Sequence, residues 1–323
     1  MPGVLSRLLS ALSVLLVATA AAQAQDYPNR PIRMYVGFPP GGAADLVARV
    51  VANALSPRLG QPIVIENKAG TGGNAAGEAV ARAEPDGYTL LHGPDNLFLV
   101  NPHLYARMPF DPLKDLVPVA SLAANQLILT VNPSLQATNL REFVELAKKT
   151  KPPMFYASIG NGSMHHIGME MFKRHVGIEL THVPYRGGGP AAVGLLAGEA
   201  QVMFGGGSVV PTIQSGKFRG LATSGARRSP VLPDLPTIGE IYPGYEVLIW
   251  HGTFAPAGTP KPILDRLRKE IAAVLQQPDV RDRLIASGSG EPYVTTPEQF
   301  TARIRADNEA FGKVIREIGL KVQ

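Results

Sequence analysis

Apolar positions along this chain switch back and forth between two periods. Ile32, Met34, Val36 and Phe38 alternate, as one buried face of a strand does. Past Gly41-Gly42, the residues Leu46, Val47, Val50, Val51, Ala54 and Leu55 recur at helical spacing. Residues 63–65 then read as a strand, 74–83 as a helix and 88–91 as a third strand. The pattern restarts after Pro118. Residues 126–131 form a strand candidate, and Asn139 with Glu142 caps a helix carrying Leu140, Phe143, Val144 and Ala147. Residues 154–157, 178–183 and 201–204 are further strands, each ahead of a glycine-rich turn. Residues 246–254 make the last strand before two closing helical stretches. Thr296, Pro297 and Gln299 start the final one, with Phe300, Ile304, Phe311 and Ile315 on its inner face. Strands alternating with helices predict an α/β fold whose largely parallel sheet is covered on both faces. Periodicity alone leaves open whether there is one sheet or two.

The first residues follow a different rule. Arg7 is the only charge before Asp26, an apolar run fills 8–22, and Ala22-Gln23-Ala24 supplies the small-x-small pattern of a signal peptidase site. The run is shorter than the ~20 apolar residues that span a bilayer. Residues 1–24 are therefore expected to be a signal peptide cleaved near Ala24, and the protein to reach the periplasm. The chain has 323 residues and no cysteine, which excludes thiol chemistry and a disulfide framework. Its formal charge is +5, spread thinly, with no basic stripe of interleaved aromatics. That argues against nucleic-acid binding and is compatible with an acidic solute.

Three strand-to-helix junctions share one design: 38–45, 158–163 and 185–190. Glycine lets the backbone turn sharply there, and the N–H groups opening the next helix face outward as an anion site. A fourth loop, Gly70-Thr71-Gly72-Gly73-Asn74-Ala75, matches G-x-G-x-x-A, with Asp95 downstream as a ribose-binding acid would be. This loop carries an oxidoreductase alternative. Ser163 with His165, His166 and a distant Asp carries a hydrolase one. His166 and Glu170 share a helix face, but two ligands without a third do not make a metal site. Neither a G-x-S-x-G elbow nor a P-loop is present.

The order of several short motifs goes further. Phe38-Pro39-Pro40-Gly41-Gly42 with Asp45, the run 66–74, Pro85-Asp86-Gly87-Tyr88-Thr89-Leu90, Gly160-Asn161-Gly162-Ser163 with His166, His182-Val183-Pro184-Tyr185-Arg186-Gly187, and Trp250 with 255–260 together resemble the Bug family. These are the substrate-binding components of tripartite tricarboxylate transporters. The resemblance implies a two-lobed periplasmic-binding-protein fold of type II that closes like a flytrap, each lobe a mostly parallel sheet flanked by helices. One lobe would comprise 25–125 and 247–323, the other 126–246. A di-, tricarboxylate or aromatic acid would be bound, not turned over, and passed by a monomer to membrane permease subunits or a sensor, with no cofactor or metal. Carried over residue by residue, the binding roles fall on Phe38, Gly41, Gly42, Ala43, Asp45, Asn161, Gly162 and Ser163, with His92, Asp95, Tyr185 and Gly205 toward the ligand's far end. Gly205-Gly206-Gly207 stands where many relatives place an acidic or amide residue, so ligands without an ammonium group are expected to bind better.

Overall fold

The computed structural model describes residues 27–288 and 290–320; the expected leader and its cleavage site lie outside them. Two sheets organise the chain. The first contains β1 (Ile32–Val36), β2 (Ile63–Asn67), β3 (Thr89–Pro94), β4 (Leu116–Gln126), β10 (Leu248–Pro256) and β11 (Glu291–Pro292), in the order β11-β4-β10-β3-β1-β2. The second contains β5 (Ile128–Val131), β6 (Phe155–Ser158), β7 (Thr181–Pro184), β8 (Val202–Gly205) and β9 (Arg219–Thr223), in the order β7-β6-β8-β5-β9.

In β1 the predicted alternation holds: Ile32, Met34 and Val36 are fully buried while Arg33 reaches solvent and pairs with Glu66 at 2.9 Å. Helix α1 (Ala43–Leu59) buries Val47, Ala48, Val51 and Leu55 against Ile263, Leu267 and Ile271 of α10 (Lys261–Leu275). The opposite face of the sheet is closed by α12 (Pro297–Glu317). Its start is the expected capping box, in which Thr296 and Gln299 bond each other's backbone N–H. Phe300 of α12 meets Trp250 edge-on, with ring centroids 5.0 Å apart.

The sheets are mixed, not largely parallel. β1 runs parallel to β2 and β3, but β10 is antiparallel to both β3 and β4. In the second sheet β6 runs parallel to β7 and β8, while β5 is antiparallel to β8 and β9. The cause is the route of the chain: β4 leads out of the first sheet, β10 leads back in, and neighbours that run out and back are antiparallel. At the crossing, Ser224 joins both connections. Its hydroxyl accepts from the Leu127 N–H at 2.8 Å and donates to the Val247 carbonyl at 2.5 Å. Its backbone bonds the same two residues. Around this point a single hydrophobic core extends from Phe98, Trp250 and Phe300 to Phe143, Tyr156 and Phe204.

Candidate solute-binding cleft

Between the sheets lies a cleft of about 780 Å³, lined from one side by Phe38 to Ala44, Pro94 to Asn96, Ile249 and His251, and from the other by Ile159 to His165 and Gly206 to Ser208. The two walls are built alike. Each is a loop leaving the end of a strand and opening a helix.

The first loop precedes α1 and is held from behind by Asp45. Its carboxylate accepts from the Gly41 N–H (2.9 Å), Arg49 Nε (2.8 Å) and Asn67 Nδ2 (2.8 Å). Burial alone would raise the Asp45 pKa, but these bonds outweigh it and bring it down to about 2. Asn67, at the end of β2, also donates to the Phe38 carbonyl at 2.9 Å. Gly73 lets the neighbouring turn pass beneath: it has φ 95°, and a Cβ there would meet the Phe38 ring at 3.3 Å. No side chain caps α1. Its first N–H groups have no intrahelical acceptor, and Gly42, Ala43 and Ala44 line the cleft.

The second loop follows β6 and opens α6 (Met164–Val176). Ser163 is the N-cap: its hydroxyl accepts from the His166 N–H at 3.2 Å and donates to the Gly160 carbonyl at 2.7 Å. His166 Nδ1 accepts from the Gly162 N–H at 3.1 Å, and its ring stacks on His182 at 3.9 Å. Burial, with His182 adjacent, lowers the His166 pKa to about 4, so the ring stays neutral and able to accept. Gly162 is at φ 73°, and a Cβ there would stand 2.6 Å from Leu104 Cδ1 on the facing wall.

Asp95 forms part of the floor. Its two oxygens accept from the Asn96 N–H (2.6 Å) and the Trp250 N–H (3.2 Å), and burial raises its pKa to about 8. Asn96 and Asn101 both donate to the Gly72 carbonyl at 3.0 Å. No lysine or arginine lines the cleft among the described residues.

Of the residues expected to bind, Phe38, Gly42, Ala43, Asp95, Asn161, Gly162 and Ser163 line this one cleft. The other five stand behind or away from it. Gly41 gives its N–H to Asp45, whose carboxylate is fully engaged with the protein. His92 is buried behind His251, bonded to it at 3.2 Å. Tyr185 turns toward α7 (Gly188–Ala197), bonding Glu199 at 2.9 Å. Gly205 is buried under Val209. Sequence reasoning missed Asn125, His165 and His251 as lining residues. His251 was legible only as one position on a strand whose facing was not yet fixed.

The chemistry of the alternatives is not assembled here. The Ser163 proton is directed at a carbonyl and His166 Nδ1 at a backbone N–H, so neither activates the other. The Gly70 loop is a short 3-10 turn (Thr71–Gly73) whose carbonyl supports the floor. Glu170 is occupied by Tyr156, Lys173 and Arg174.

Residues 47–320 match the family model described as the tripartite tricarboxylate transporter family receptor. The chain belongs to that family. Its members are solute-binding receptors and not enzymes, as the Bug resemblance implied. The receptor is 35% identical to the protein BugT of Bordetella pertussis over 99% of both chains. A Rhodopseudomonas palustris protein solved with adipate is 33% identical and superposes with a TM-score of 0.75, over 92% of this chain and all of that one. A solute-binding protein of the same family from Polaromonas, solved without ligand, is 26% identical with a TM-score of 0.83, over 90% of this chain and 99% of that one.

Proposed function

We propose that this receptor captures one small organic acid by its carboxylate between the two glycine-rich loops, in the periplasm, for transfer to membrane permease subunits. The observation that carries this reading is the convergence of two helix starts, α1 from one sheet and α6 from the other, on a single cleft. Each helix start favours an anion by ~0.3–1 kcal/mol when exposed and up to about 2 when partly buried. Because no cationic side chain lines the cleft, backbone N–H groups supply the recognition.

The sheets would then be the cores of two lobes, 25–125 with 247–323 and 126–246, that close on the ligand. The Polaromonas protein superposes more closely than the adipate-bound one despite its lower identity, as a difference in lobe angle would produce. Asp95, protonated at neutral pH, offers an ammonium group no counter-charge, and Gly205-Gly206-Gly207 offers none either. Succinate should therefore bind better than aspartate.

Calorimetry with adipate, succinate, aspartate and the monoamides of the two diacids tests this. The acids should bind and raise the melting temperature, by the equivalent of about 2.7 kcal/mol at a hundredfold excess over Kd. Amide forms should lose at least about tenfold for each blocked carboxylate that sits at the helix starts. Equal affinity of acid and amide, or no thermal shift with any carboxylate, would overturn the proposal.

A further inference from the structure

Beside the cleft lies a second cavity of about 470 Å³, and it too straddles both sheets. The two cavities share a wall made of Asn125, Gly207, Ser208, Ser287 and Gly288. No bulky side chain stands in that wall. Asn125 Nδ2 donates to the Gly288 carbonyl across it at 3.2 Å, and Gly207 comes so close that a Cβ would meet that carbonyl at 3.1 Å. Any side chain at 207 would thicken the partition, whereas glycine keeps it one backbone deep. Beyond the wall the groove is apolar along Val210, Pro211, Val231 and Ile285.

Its polar groups are of one kind. Gln126 Oε1 and Glu291 Oε1 are buried acceptors with no hydrogen-bond partner among the described residues. Glu291 pairs with Ala124 in register, which makes Gln126 its diagonal neighbour on the same face of the sheet. The Gln126 amide nitrogen is already directed at the Arg227 carbonyl (2.9 Å), which fixes its oxygen as the free end. Buried acceptors without donors are costly and mark a place for a donor.

We propose that the ligand's body passes from the cleft over the Gly207–Gly288 wall into this groove, so that the receptor selects carboxylates with an extended apolar body ending in a neutral hydrogen-bond donor such as a hydroxyl. The inference rests on the carboxylate-capture reading and adds the substrate class. The carboxylate sits at the helix starts, the methylenes cross the glycine wall, and the terminal hydroxyl reaches Gln126 and Glu291. A second carboxylate at that end would face the Glu291 side chain with like charge.

The test is calorimetry at neutral pH with hexanoate, decanoate, 10-hydroxydecanoate and sebacate, on the native protein and on Val231→Trp. Val231 is 40% exposed and lines only the groove, so the indole fills that space without burdening the core. Decanoate should bind tighter than hexanoate by about fourfold for each methylene that enters the groove. The hydroxy acid should bind tighter still, and sebacate more weakly than the hydroxy acid. Val231→Trp should abolish the gain of the ten-carbon acids and leave hexanoate unchanged. Equal affinities of hexanoate and decanoate, or a gain that survives Val231→Trp, would overturn the inference while leaving carboxylate capture intact. No binding by any of the acids would overturn the capture reading, and this extension with it.

Discussion

Two buried carboxyls at the cleft ionise in opposite directions. Asp45, surrounded by three donors, has its pKa pulled down to about 2, whereas Asp95, given two backbone N–H groups and no cation, is pushed up by burial to about 8. The consequence for stability follows from linkage. The unfolded chain releases the Asp95 proton near its ordinary value of 3.8, while the folded protein keeps it to about pH 8. The contribution of Asp95 is thus fully present below about pH 4 and is lost as pH rises toward 8. Asp95→Asn cannot ionise, so its melting temperature should fall less than that of the native protein between pH 5 and pH 8. Parallel melting curves across that range, with identical slopes for the two proteins, would show that Asp95 is ionised in the fold. Neither role was legible from the residues alone. Both aspartates stand beside glycine-rich turns, and only the positions of Arg49, Asn67 and Trp250 decide which one keeps its charge.

Helix α6 shows how an element can be foreseen while the work of its residues is not. Its start at Ser163 matches the expected junction, yet the serine proton is bonded to the Gly160 carbonyl and so is already committed within the loop. Ser163→Ala should therefore act through the loop. It should lower stability by about 1 kcal/mol, as the loss of an N-cap does, and weaken acid binding by about tenfold as Gly160 and Gly162 shift. Ser163→Thr keeps the capping oxygen and should restore most of both; if threonine binds as poorly as alanine, the loop account is wrong. Elsewhere the same limit applies to strands. β4 was not anticipated because Pro118 interrupts it and two irregularities of register break its alternation. β9 escaped because five residues containing a glycine carry too little pattern. Strands such as β1 and β8, whose buried positions are continuous or cleanly alternating, were legible from the start.

At the scale of the whole molecule, the two connections between the sheets are tied to each other through Ser224. Rotation of one sheet against the other must carry both connections together, which favours a single hinge axis over independent swinging. A saturating acid should reduce the radius of gyration measured by small-angle scattering, and an unchanged profile would argue against closure. Ser224→Ala should cost about 1–3 kcal/mol, because it leaves the buried Leu127 N–H and Val247 carbonyl without this partner. The position of β10 between β3 and β4 bears on assembly as well as motion. The second sheet is drawn from one continuous stretch, Ile128 to Thr223, whereas the first stays split into halves until Leu248 to Pro256 arrives to join them. A chain delivered from its N-terminus therefore completes its middle before its beginning. The strands made first wait, with their inner edges unpaired, for the strand that unites them, and that interval is when this protein is most exposed to aggregation.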